Sequence, residues 1–181
     1  MATVDENGVV TGVSSGIAYI IFKCSGLTSS TEVRIGEPET EDGLTFYKIS
    51  EDEYAVGASS NGISRSDGRL VIPSAHNGKA VTKILAEGFY YCYNITSVFI
   101  PSSINEVGTN AFGSCYSLKE VKFESAVPPK MGDNVFSGTW DYSDFKILVP
   151  NSALPAYKAI TAEYWQSYAI DNIFGYNPDG E

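Results

Sequence analysis

The sequence predicts an α+β solenoid: a short stack of coils with parallel strands on one face, an N-terminal β-hairpin cap, a C-terminal helical cap, and a small all-β segment ahead of them. Three observations predict it. Ile84, Phe89, Cys92, Ile95, Val98 and Ile100 recur 23 residues later as Val107, Phe112, Cys115, Leu118, Val121 and Phe123, and a fixed period of this length marks stacked repeats. Each copy ends in Val-x-Ile or Val-x-Phe, a strand with two inward residues, after apolar residues three apart that suit a tight helical turn. Strand-like and helix-like patterns flank the repeats, where the open faces of terminal coils must be covered.

The elements follow in order. Residues 9–13, 17–22 and 31–35 read as three short strands between glycine- and serine-rich turns, a β segment spanning residues 1–36. Residues 37–42, Glu-Pro-Glu-Thr-Glu-Asp, read as an irregular acidic linker, because Pro and like charges disfavour regular structure. From residue 43 the repeat domain begins. Leu44 to Ile49, a polar turn at Ser50-Glu51-Asp52-Glu53, and Tyr54-Ala55-Val56 form the capping hairpin.

Leu70-Val71-Ile72-Pro73 matches Val98-Phe99-Ile100-Pro101, with a polar insertion near His76-Asn77-Gly78-Lys79-Ala80. Val135-Phe136 echoes Ala111-Phe112, and Ile147-Leu148-Val149-Pro150 supplies a further strand, so about four coils are visible. Residues 152–168 read as the helical lid that closes residues 43–181. Ser152 is placed as N-cap and Pro155 in the first turn, with Leu154, Tyr157, Ile160, Tyr164 and Tyr168 on one face.

The run Ile-Pro-Ser-Ser-Ile-x-x-Val-Gly-x-x-Ala-Phe-x-x-Cys-x-x-Leu from Ile100 to Leu118 resembles the BspA-like leucine-rich repeat surface proteins, a likeness that extends from Gly43 to about Tyr168. Residues 4–18, Val-Asp-Glu-Asn-Gly-Val-Val-Thr-Gly-Val-Ser-Ser-Gly-Ile-Ala, resemble the later half of a bacterial immunoglobulin-like (group 2) module. These resemblances imply secreted or surface-displayed proteins of host-associated bacteria, built as strings of modules, whose activity is binding or adhesion without catalysis. A half module at residue 1 leads to the expectation that upstream sequence, any signal included, was removed and that Met1 comes from a vector.

Composition bounds the function. The 181 residues suffice for one domain or two small ones, and 43% apolar residues with 12 Tyr and 9 Phe support a packed core. Twelve basic against 22 acidic side chains give a net charge of −10, which opposes a nucleic-acid partner because phosphates repel such a surface. The longest apolar run, residues 16–22, is a strand's length, short of the roughly 18 residues a membrane span needs. Cys24, Cys92 and Cys115 include no Cys-x-x-Cys pair. The shared register of Cys92 and Cys115 with core positions marks them as interior thiols.

No catalytic residue is assigned, and no cofactor or metal. His76, the only histidine, reads as a solvated loop residue without a nucleophile motif beside it. The acids at residues 141–144 and 177–181 do not fit a calcium loop. Candidate ligand-binding residues are those the repeat leaves outside. Val71, Phe99, Lys122 and Leu148 each stand between two inward strand residues and form an outward column with more apolar members than solvation requires. Tyr90, Tyr91, Tyr93 and Tyr116 surround the cysteine positions, where tyrosine offers a flat apolar face with a polar tip.

The expected function is non-enzymatic binding of a host extracellular protein or glycan at the bacterial surface. The alternatives are a spacer module in a longer surface chain, or an accessory domain of a secreted hydrolase. Residues 1–36 are expected to offer a free edge for a homodimer.

Overall fold

The computed structural model describes residues 2–5, 10–12, 16–24, 27–35, 37–58, 63, 67–139, 144–164 and 170–179. The N-terminal segment is two antiparallel hairpins. Strand β1 (Ala2–Val4) pairs with β2 (Val10–Gly12), and β3 (Gly16–Cys24) pairs along its whole length with β4 (Leu27–Ile35). Four strands therefore occupy the segment where three were expected; Ala2-Thr3-Val4 is too short to show an alternation.

Residues 37–42 are not the irregular linker their charge suggested. Glu39–Glu41 form strand β5, antiparallel to β6 (Leu44–Lys48) across a turn in which Asp42 and Gly43 take φ of 50° and 77°. The period of two sends Glu39 and Glu41 to the same side, and both carboxylates meet His76, whose two ring nitrogens offset their repulsion. Strand β7 (Glu53–Ala58) completes the expected capping hairpin with β6.

Beyond the cap the chain winds as a solenoid of about four turns built on two parallel ladders. One ladder is built from β8 (Arg69–Val71), β11 (Ser97–Ile100), β13 (Glu120–Phe123), β15 (Lys146–Pro150) and β16 (Ile173–Tyr176). The other starts from β10 (Lys79–Ile84), preceded by the short antiparallel β9 (Ala75–His76), and runs through β12 (Glu106–Val107) to β14 (Lys130–Met131). Strand β10 also pairs in parallel with β7, so cap and coils share one sheet. This second ladder was not anticipated, because a two-residue strand carries no readable alternation.

The third side of each coil is a run of tight turns closed by bonds such as Cys92 N–H to Phe89 O and Leu118 N–H to Cys115 O. Alternate residues there bond to the next coil instead: Glu87, Phe89 and Tyr91 donate to Thr109, Ala111 and Gly113, and Asn110, Phe112 and Ser114 donate to Asp133, Val135 and Ser137. This requires left-handed backbone at Glu87, Tyr91, Asn110, Ser114, Asn134 and Gly138, a conformation that disfavours most side chains by about 1–2 kcal/mol. The coil-to-coil bonds offset that strain.

Inside, repeat-equivalent side chains lie over one another. Phe89 stacks on Phe112 with ring centres 5.2 Å apart, and Phe112 on Phe136 at 5.7 Å. Ile100 and Phe123 face each other across β11 and β13, both buried. Each fully buried side chain of this kind stabilises the fold by roughly 1.5–3 kcal/mol, and none could be buried in an isolated coil.

The C-terminal lid differs in detail from expectation. Ser152 does not cap the helix; it lies in a 3-10 turn, Asn151–Ala153, fixed by the tight exit from β15, and helix α1 (Leu154–Tyr164) continues from it. Tyr157 is fully buried against Phe123 and donates its hydroxyl to Ser125 O at 3.1 Å. Tyr168 lies outside the described residues. A further 3-10 turn, Ile170–Asn172, leads into β16, which extends the first ladder past the helix.

Candidate functional site

The outward column exists in register. On the first ladder Phe99 pairs with Val71 on one side and Lys122 on the other; Lys122 pairs with Leu148, and Leu148 with Phe174. Val71 and Phe174 are about half exposed, and the three between them are half-buried by each other. Phe174 had not been expected, since Ile173–Tyr176 alternates over only four residues and follows a helical stretch.

A parallel outward row runs beside it, formed by Arg69, Ser97, Glu120 and Lys146. Three cations, Arg69, Lys122 and Lys146, thus face one carboxylate on a chain of net charge −10. The Lys122 ammonium sits 4.0 Å from the centre of the Tyr176 ring, a cation–π contact that fixes the side chain at the middle of the column. Between Val71, Phe99 and Lys122 the sheet surface is hollowed into a shallow groove of about 400 Å³.

The tyrosines lie on the turn side, all exposed: Tyr90, Tyr91, Tyr93 and Tyr116. Tyr90 and Tyr91 rings meet edge to face at 4.4 Å, and Tyr91 meets Tyr116 at 6.3 Å. The Tyr91 hydroxyl is held above its usual pKa, first by its hydrogen bond with Tyr90 and then by the charges of Tyr90 and Tyr116. Tyr90 lies flat over Gly113, where an added Cβ would come within 2.7 Å of its ring. The tyrosines therefore form one aromatic surface over two coils, separate in the fold from the strand column.

His76 is not a solvated loop residue. Its ring is buried, stacked on Phe46 at 3.9 Å and edge-on to Tyr54 at 5.0 Å. Nδ1 lies 3.1 Å from Glu41 and Nε2 2.9 Å from Glu39, while Tyr54 donates to the other Glu39 oxygen at 2.9 Å. Both ring nitrogens thus face carboxylate oxygens. The Glu39 carboxyl is held below the usual range, chiefly by its hydrogen bonds to His76 and Tyr54. The cluster fastens β5 to the cap.

The interior thiols behave as the repeat register predicts. Cys92 and Cys115 are free and buried. Burial raises the pKa of both, that of Cys115 to about 12, and the Cys115 thiol donates to Phe89 O at 3.1 Å. Among the described residues no group of three His, Cys, Asp or Glu stands as a metal site, and no helix is long and apolar enough to cross a membrane.

Comparison with known proteins accords with this geometry. Residues 72–157 match the model of the BspA type leucine rich repeat region, in six copies. No curated protein matches the chain. Among solved structures, the chain is similar to a leucine rich cell surface protein from Faecalibacterium prausnitzii, at 26% identity and a TM-score of 0.49, over 62% of this chain and 30% of that one. A leucine-rich repeat protein from Bacteroides capillosus is similar at 19% identity and a TM-score of 0.51, over 77% of this chain and 99% of that one. The leucine rich repeat protein of T. pallidum follows at 22% identity and 0.41, over 64% and 62%. The chain spans under a third of the Faecalibacterium protein and nearly all of the Bacteroides one, and the latter likeness shows the fold. The immunoglobulin-like resemblance of residues 4–18 finds no support in these matches. Residues 72–157 thus match BspA type leucine rich repeats and wind as a solenoid.

Proposed function

We propose that the chain is a non-catalytic binding module of a bacterial surface or secreted protein, and that it holds an extracellular protein partner against the five-stranded ladder. The observation that carries this reading is the column Val71, Phe99, Lys122, Leu148 and Phe174, in register across every strand of that sheet. The fold needs the inward residues of these strands and not the outward ones. Two apolar pairs, Val71–Phe99 and Leu148–Phe174, on either side of Lys122 therefore have a use beyond stability. The surplus of cations on this face, on an otherwise acidic chain, favours a partner surface that combines apolar groups with carboxylates.

The exposed tyrosines 90, 91, 93 and 116 extend the contact around the turn side, where flat rings with polar tips lose little entropy on binding. The BspA-like repeats support surface display, and the sequence at residues 4–18 supports a spacer of immunoglobulin-like type ahead of them.

The test is attachment to extracellular matrix proteins and epithelial cells with the Phe99→Ser, Leu148→Ser double variant. Both side chains are only half-buried, so melting should move by less than about 2 kcal/mol equivalent, while attachment falls by at least about tenfold. Attachment that persists in a folded double variant rejects this face.

A further inference from the structure

A cleft of about 780 Å³ opens on the other ladder, roofed by the β3–β4 hairpin, in the size range that ligand sites occupy. Its floor is built by the repeat. Lys83, Glu106 and Lys130 are register partners across β10, β12 and β14, and form a row of alternating charge with ion pairs of 3.2 and 3.9 Å. Beside this row lie Gly108 and Gly132, where an added Cβ would come within 2.3 Å of the backbone of the preceding coil. The glycines thereby let the main chains of successive coils pack directly on one another beneath the cleft.

The roof contributes Tyr19 and Arg34. The Lys83 ammonium donates to the Tyr19 hydroxyl and lies 5.0 Å from its ring centre, yet about half of Tyr19 remains exposed. The Arg34 guanidinium donates to Ala86 O at 2.8 Å and ties the roof to the floor.

From this arrangement we propose that the cleft binds a linear neutral oligosaccharide lying along the solenoid axis, with one sugar per coil and one pyranose face against Tyr19. The proposal rests on the binding reading above and gives it a second, chemically distinct site. Three features select the ligand. An exposed aromatic ring suits the apolar face of a pyranose. Three carboxylates, Glu87, Glu106 and Asp133, line the cleft against three cations; a charged ligand would meet as many like charges as opposite ones, whereas hydroxyls bond to either. The coils repeat about every 4.8 Å, close to the length one hexose adds to a chain.

The experiment is calorimetric titration of the full chain with cellotriose, xylotriose and maltotriose, and with the acidic trimer of galacturonate as control. At least one neutral trimer should bind, and the acidic one should not. Tyr19→Ala should weaken binding by about tenfold, the loss of one ring contact, while Tyr19→Phe keeps it within about twofold. Lys130→Ala, at a mostly exposed side chain, should weaken it by about threefold. Absence of binding by all neutral trimers, binding by the acidic trimer alone, or full affinity in Tyr19→Ala overturns the proposal. The Phe99→Ser, Leu148→Ser variant should bind the trimer normally, and Tyr19→Ala should retain protein attachment, so the failure of either site is read independently.

Discussion

Gly132 has no room to be anything else. A Cβ there would meet Thr109 N at 2.3 Å and Gly108 C at 2.7 Å, and both are backbone atoms of the neighbouring coil that no rotamer change can move. Gly132→Ala must push two coils apart and should lower stability by about 1–3 kcal/mol, read from the urea midpoint; an unchanged midpoint would mean that the coils are not so closely stacked. Cys115 is limited by chemistry instead. With its pKa raised to about 12 by burial, it stays a thiol at neutral pH, and iodoacetamide should label it in the folded chain only as fast as the protein unfolds. Glu39 gives the pH dependence. Its pKa is lowered in the fold by His76 and Tyr54, so its contribution is present above the ordinary carboxylate range and is lost as pH falls through the depressed value. The protection of β5 amides, taken relative to their intrinsic exchange rate at each pH, should therefore fall on going from neutral pH to about pH 3, and Glu39→Gln should flatten that response. The histidine cluster was not legible in the sequence. His76 sits 37 residues from Glu39 and 35 from Glu41, and nothing in a polar insertion signals a distant pair of carboxylates.

At the scale of elements, legibility followed length and alternation. Strands β11 and β13 could be read because each shows a buried, half-buried, buried alternation that recurs one coil later. Strands β12 and β14 could not, having two residues each, yet Lys83, Glu106 and Lys130 stand 23 and 24 residues apart. The same period that marks the core also marks this charge row, so its signal lies in the charged positions rather than in the apolar ones. The helical lid was readable from its apolar spacing, whereas β16 beyond it was not. The lid's weight rests on Tyr157. Its ring fills the space against Phe123 and its hydroxyl reaches Ser125 O, so Tyr157→Phe should cost about 1 kcal/mol for the hydrogen bond and Tyr157→Ala about 3–5 kcal/mol for the cavity. Equal losses in the two variants would show that the ring adds nothing to the closure.

Across the molecule, the connected core argues for one cooperative unit from the cap to the lid. A solenoid's stability is the sum of weak single coils and strong contacts between neighbours, and here those contacts include stacked phenylalanines, two parallel ladders and the turn-side bonds. Four turns are too few for the ends to unfold without the middle, since the cap shares a sheet with β10 and the lid shares one with β15. Phe112 is the residue that tests this, because it stacks on Phe89 below and Phe136 above. Phe112→Ala should lower stability by about 3–5 kcal/mol while the repeat domain still unfolds in one transition of unchanged steepness. Exchange protection should then fall together in β11 and β15, the strands on either side of the vacancy. A second transition, or protection lost in one of these strands and kept in the other, would instead show that the coils on each side of Phe112 are held by their own caps.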